Sequence, residues 1–424
     1  MKEREDRVAE GEGGSPFLLA QAMHRKQHTI LILVLGSLTA IGPFSIDMYL
    51  PGFPAIARDL QTDISHVAFT LTSYFIGITL GQVVYGPLLD RFGRKKPLVV
   101  GLLIYIAAAI GCGLAPTIQA LVVLRFLLAI GSCVGIVAAR AIVRDLFPIN
   151  EVARIFSTLM LVLGVSPIIA PTVGAYVADL YSWRLIFAVL GLIAVLILVG
   201  VVRFLPESRP ADASISLHPL QVARDYVAVL KNRQFIAYGL ASAAASGGLF
   251  AYISAAPFVY MTLFGFTDKE FGWLFGLSAC GVIGASQINR FILRRHTSRE
   301  VSIVAAVAQS VVTVFFVVGV LAGIPPLAVI LMIFGYLVGL GFLSPNTTAI
   351  AIEPFTRNAG TASALMGSMQ MAAGALGSAL VSIFHTGTAL PMAALMLTSA
   401  VVSLGLQAGY RRLENKSFRH GEIL

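Results

Sequence analysis

Gly86-Pro87-Leu88-Leu89-Asp90-Arg91-Phe92-Gly93-Arg94-Lys95-Lys96 decides how the rest of this chain is read. One acid, four bases and two glycines interrupt two long apolar runs. Hydrocarbon cannot hold that much charge, so the stretch belongs at a membrane surface. Its positive excess marks the cytoplasmic surface.

The flanking runs set the class. Of 424 residues, 57% are hydrophobic and 12% charged, about half the charged share of a soluble domain. Runs long enough to cross roughly 30 Å of hydrocarbon, about 20 residues each, occur at 29–51, 66–89, 97–115, 118–139, 153–177, 183–204, 234–262, 271–292, 300–322, 326–350, 358–384 and 388–409. The reading is an all-α polytopic membrane protein with twelve transmembrane helices. Residues 1–28 read as a disordered cytoplasmic tail and 29–204 as an N-terminal six-helix half. Residues 205–233 form a polar cytoplasmic linker, 234–409 a C-terminal half and 410–424 a cytoplasmic tail.

With the N-terminus inside, 26 of the 30 Lys and Arg fall in inside segments, three in outside loops, and Arg125 within a span. That asymmetry predicts a multi-pass protein with both termini cytoplasmic. The net charge of +9 is scattered over short breaks and forms no single face, so nucleic acid is excluded as a partner. The bilayer is the expected partner. Cys112, Cys133 and Cys280 all lie in apolar runs, widely spaced and odd in number, and so read as packing residues with no disulfide or metal role.

The two halves repeat faintly. Asp90-Arg91-Phe92-Gly93-Arg94-Lys95-Lys96 follows the second run, and Asn289-Arg290-Phe291-Ile292-Leu293-Arg294-Arg295 follows the eighth. Pseudo-symmetric halves of this kind suit alternating access to a central site.

Two charges lie deep in spans. Asp47 is ~27 Å from the inner end of the first run and Arg125 ~10 Å below the outer surface. If both face one cavity, each lowers the other's desolvation cost. Asp47 is then a candidate proton carrier, and Arg125, always charged, favours its ionised form. The alternatives are a fixed ion pair that only orients helices, or an Asp47 that caps its helix near Pro51.

Around the opening stretch, Gly86 suggests tight helix contact and Asp90 a carboxylate set against a helix N-terminus. Arg140 or Arg144 could pair with Asp90 as an inner latch, or the bases could simply anchor on anionic lipid. Pro167 and Pro171 free backbone carbonyls in the fifth run, and Gly164 and Gly174 admit a neighbour, unless this is an ordinary kinked helix. The eleventh run, Gly360 to Gln370, is rich in small residues and offers methionines and one amide, for packing or for a tolerant site. Candidate substrate-cavity residues are Tyr49, Tyr74, Tyr252, Asn346, Met366 and Gln370.

No histidine sits mid-span beside a nucleophile, and there is no phosphate-binding Gly-x-x-x-x-Gly-Lys-Ser/Thr. The chain therefore reads as no enzyme, without cofactor, drawing on an ion gradient.

Taken together these motifs resemble those of drug:proton antiporters of the major facilitator superfamily, in the bicyclomycin/chloramphenicol-resistance-like efflux branch. Ser45 to Pro51 resembles the first-helix motif of that branch. Leu121-x-x-x-Arg125-x-x-x-x-x-Gly131 is similar to the fourth-helix motif, with Leu128-Ala129 where Gln-Gly is usual. Ala139 to Asp145, Ser182-Trp183-Arg184-x-x-Phe187, Ser344-Pro345-Asn346 and Ala359 to Ser363 also look typical of the branch. Ser166 to Gly174, carrying Pro167, Pro171 and Gly174, resembles the fifth-helix antiporter motif, with Ser-Pro where Gly-Pro is usual.

The resemblance implies the major facilitator fold. It implies proton coupling at Asp47 and Arg125, and an inner gate at Gly86, Asp90, Arg91, Gly93, Arg94 and Arg144. It also implies export of amphipathic small molecules across a bacterial inner membrane, with protons as co-substrate; a monomer is the expected state. The rivals are a dedicated exporter of an amino acid or sugar, and a gradient-independent facilitator or sensor.

Overall fold

The computed structural model describes residues 25–147, 149–212, 219–355 and 359–420. The predicted tail 1–28 lies almost wholly outside the described residues. Among the described residues twelve helices are long and apolar enough to cross a membrane. They are α1 (Arg25–Asp47), α2 (Ile64–Phe92), α3 (Lys95–Gly113), α4 (Ile118–Leu146), α5 (Ile149–Leu180) and α6 (Trp183–Phe204) in the first half. The second half holds α7 (Arg233–Pro257), α8 (Asp268–Ile292), α9 (Ser298–Leu321), α10 (Pro326–Ile352), α11 (Ala359–Ile383) and α12 (Leu390–His420).

Local chemistry sets many of the boundaries. Thr117, Ser182 and Asn232 each accept a backbone N–H of the helix that follows them. Thr267 with Glu270 and Thr297 with Glu300 form capping boxes at α8 and α9.

Three boundaries differ from the sequence reading. The first span continues past Asp47 through a 3-10 turn at Leu50–Gly52 and a short helix at Phe53–Asp59. The linker contains a helix, Pro219–Leu230, that packs on α11 and α7; apolar residues at helical spacing inside a polar stretch made it easy to miss. α12 runs to His420 rather than stopping near 409, and its Glu414 pairs with Arg299 of α9 at 2.7 Å.

Packing confirms the repeat that the sequence only hinted at. In the first half α1 packs on α4, α5 and α6, α2 on α4, and α3 on α4 and α6. In the second half α7 packs on α10, α11 and α12, α8 on α10, and α9 on α10 and α12. Each pairing maps onto its counterpart six helices later. The halves meet along α2–α11 and α5–α8, two contacts that the same mapping interchanges.

The loops after α2, α4, α6, α8 and α10 lie at one end of the bundle, here the basic end; the opposite end is the far end. Far-end contacts pin the halves together. The Thr72 hydroxyl of the first half donates to Ser378 of the second at 2.9 Å, and Ser254, also of the second half, holds Ser378 at 2.7 Å. Phe75 meets Phe250 with ring centroids 4.4 Å apart, and Asp179 pairs with Lys269 at 3.0 Å.

Candidate functional site

Between the halves lies a cavity of about 410 Å³, lined from α1, α2, α4 and α5 and from their repeats α7, α8, α10 and α11. Its walls are mostly Ile, Leu, Val and Phe side chains, among them Ile78, Ile136, Phe250, Phe275 and Ile283. Few polar side chains reach it: Asp47, Gln82, Tyr252 and Ser278. Among the lining residues Asp47 carries the sole formal charge. It is 4% exposed, and no described base forms an ion pair with it.

Arg125 takes a different place from the one expected. It is fully buried in the first half, and its Nη1 donates to the Ser45 carbonyl at 2.8 Å. Its guanidinium lies 4.4 Å from the ring centroids of both Tyr49 and Tyr74. Nε and Nη2 have no hydrogen-bond partner among the described residues. The Asp47–Arg125 ion pair that would fix two helices is therefore not formed. Ser45 lies in the last turn of α1, where carbonyls lack an intrahelical donor, so Arg125 serves as a cation at a helix C-terminus. Tyr74 is held in turn by Ser132 at 2.9 Å and by the Gly42 carbonyl at 3.2 Å, Tyr49 by Thr70 at 3.0 Å, and Ser45 by Tyr105 at 2.7 Å. This buried network fixes the end of α1 and leaves Asp47, two residues on, facing the cavity.

Of the six candidate cavity residues, Tyr252 lines the cavity. Tyr49 and Tyr74 form the cradle of Arg125. Asn346 donates to the Asn289 amide oxygen at 2.9 Å, Gln370 to Ser242 at 2.9 Å, and Met366 packs in a separate cluster with Phe235 and Tyr238. Gln82 was missed, although a lone amide in the middle of an apolar run was a usable signal.

The signature stretch is rearranged as well. Asp90 pairs with neither Arg140 nor Arg144. Arg94 binds it at 2.6 Å and Asp145 of α4 at 2.8 Å, and Arg209 lies 3.7 Å from it. The carboxylate at the α3 N-terminus is Glu207, which accepts from the Arg94 and Lys95 amides at 2.7 and 3.2 Å. Lys95 Nζ donates to the Val202 and Leu205 carbonyls. Gly86 makes no close approach, since a Cβ there would meet nothing within 4 Å. Gly93 is the required glycine: its φ is +83°, and a Cβ would press on Glu207. Arg91 and Arg144 stand at the same end, and Arg144 Nη1 lies close to Gly360 of α11 in the other half.

On α5, Pro167 lines the cavity and Gly174 brings the helix against the first span, where a Cβ would collide with the Met48 carbonyl oxygen. Pro171 and Thr172 abut Gly272 of α8.

Residues 35–378 match the description Major Facilitator Superfamily. The chain belongs to the major facilitator superfamily. Members of the superfamily are membrane transporters that carry small molecules. An uncharacterized transporter of this superfamily, YdgK of Bacillus subtilis, is 36% identical over 89% of this chain and 94% of its own length. A bicyclomycin resistance protein homolog of Haemophilus influenzae is 31% identical, covering 90% of this chain and 96% of that protein. A chloramphenicol resistance protein of Pseudomonas aeruginosa is 30% identical over 88% and 89%. These relatives place the chain in the efflux branch that its motifs resembled. In fold it is similar to a D-xylose-proton symporter, with a TM-score of 0.70 at 14% identity over 88% of this chain and 97% of that one. Within the superfamily's two-half plan, Asp47 thus sits in the cavity between the halves and Arg125 behind it.

Proposed function

We propose that this protein is a proton-coupled antiporter that exports amphipathic, largely apolar small molecules by alternating access, from a bacterial inner membrane with its basic end cytoplasmic. One observation carries the reading: a cavity between the two halves, walled by aliphatic and aromatic side chains, with one carboxyl among its lining residues. Apolar walls accept varied ligands by burying area rather than by directed hydrogen bonds. A carboxyl reached by both substrate and proton couples the two, because each stabilises a different state of the same site. The resistance proteins named among the relatives support the same reading. No cofactor is needed beyond the proton gradient.

A growth-inhibition panel in a pump-deficient strain tests it. Expression of the protein should raise tolerance to several unrelated drugs, chloramphenicol included, and an ionophore that collapses the proton gradient should remove the gain. Asp47→Asn should insert normally yet give no protection. Uphill export by that variant would sink the proton role of Asp47.

A further inference from the structure

Three observations converge beside Asp47 in the second half. Tyr252 and Tyr260 are 2% and 0% exposed, and neither phenol oxygen has a hydrogen-bond partner among the described residues. Buried hydroxyls left in that state are rare and call for an explanation. Their rings meet edge-on at 6.5 Å between centroids, and Tyr252 stacks on Phe275 at 5.7 Å. The Tyr260 and Tyr252 rings thus stand in series, and Tyr252, Ser278 and Asp47 line the same central cavity.

The backbone here is unusual too. Phe258–Leu263, which holds Tyr260, is a π-helical turn continuing α7, a form that is rare and concentrated at functional sites. Phe258 and Thr262 of that same turn line a far-end pocket of about 550 Å³ that also holds Arg58, Asp63 and His385. Tyr260, fully buried and outside that pocket's own lining, links this turn to Tyr252, which shares the central cavity with Asp47.

We propose that Tyr260 and Tyr252 form a hydroxyl relay that carries protons between the far-end pocket and Asp47. The relay rests on the proton role proposed for Asp47. A phenol hydroxyl donates one hydrogen bond and accepts another, so it can pass a proton without being left ionised. A proton arriving on a lone pair of the Tyr260 oxygen releases that hydroxyl's own proton to Tyr252, directly or across one water. The same exchange at Tyr252 delivers a proton to the Asp47 carboxylate. Each phenol ends with one O–H, one O–H bond has formed on Asp47, and one proton has left the far-end solution. The orphaned oxygens are explained as groups that pair with water and with each other during transfer, in a polar seam between the end of the first span and α7–α8. Tyr252 and Tyr260 hand the proton on themselves; neither exchanges it with substrate.

Time-resolved infrared spectroscopy on proteoliposomes tests this without any drug. A rapid acid jump on the far side is followed at the carboxyl stretch that Asp47→Asn removes. Tyr260→Phe and Tyr252→Phe keep every ring contact, so the fold is retained. Each should slow Asp47 protonation by at least about tenfold while leaving the final amplitude unchanged. Protonation at the wild-type rate would overturn the relay. So would an unchanged rate with an altered final amplitude, which marks phenols that only tune the acid's surroundings. Absence of the Asp47 band in the wild-type protein would sink the Asp47 reading itself, and the relay with it. That failure is visible before any tyrosine variant is made.

Discussion

A guanidinium buried without a carboxylate, as Arg125 is, must draw its stabilisation from uncharged groups. Two ring faces, a helix-terminal carbonyl and the α1 dipole supply it, each on the order of 1 kcal/mol. That leaves Asp47 free of a permanent partner, which a group that must gain and lose a proton requires. Glycines show the same contrast between position and role. Gly174→Ala should destabilise the protein by about 1–3 kcal/mol, because its new Cβ meets a backbone carbonyl that cannot swing away. Gly86→Ala, with open space around it, should be neutral or stabilising by up to about 1 kcal/mol. Thermal melting of the two variants in detergent checks the pair; equal melting shifts would contradict the packing described for α5 against the first span.

At the scale of elements, the signature stretch is a brace inside the first half. Arg94 ties the end of α2 to the end of α4, and Glu207 ties the segment after α6 to the start of α3. Asp145 is the more enclosed of the two acids, with its side chain 19% exposed against 42% for Asp90. Asp145→Asn should therefore cost more stability than Asp90→Asn. Arg94→Ala should cost about 2–4 kcal/mol, less than a fully buried pair because Asp90 is partly solvated. Melting temperatures should rank Arg94→Ala lowest and Asp90→Asn nearest the wild type. The sequence showed that these charges gather at the basic end. It could not show their pairing, because Asp145 and Glu207 lie 51 and 113 residues from Arg94 in the chain, and only tertiary packing brings them to it.

Across the whole molecule, the halves meet at the far end, among the described residues, through the Thr72–Ser378 hydrogen bond and the Asp179–Lys269 ion pair. Asp179–Lys269 has both side chains 45% exposed, so solvent screens it and it contributes little. A contact that weak can be broken in each transport cycle. Lys269→Glu sets like charges across α5 and α8 and should raise labelling of a cysteine placed at Thr72 by up to about fivefold. Adding Asp179→Lys should restore the wild-type rate; a double variant as reactive as the single one would show that the pair does not hold the far end.

The sequence by itself determined the twelve spans, the two halves, the family and the two charges buried in the first half. Each follows from local chemistry, since apolar length, loop charge and the cost of a charge in hydrocarbon are properties of a segment alone. Tertiary structure decided which of those groups meet. It turned Arg125 toward two tyrosines and a carbonyl instead of Asp47, and it brought Asp145 of α4 to Arg94. It also set Tyr252 in the acid's cavity from the opposite half, with Tyr260 against Tyr252. The partners lie on helices whose rotation and depth are fixed by packing against all their neighbours at once. A linear pattern of polar and apolar residues sets the face of a helix but not the atom that the face will touch.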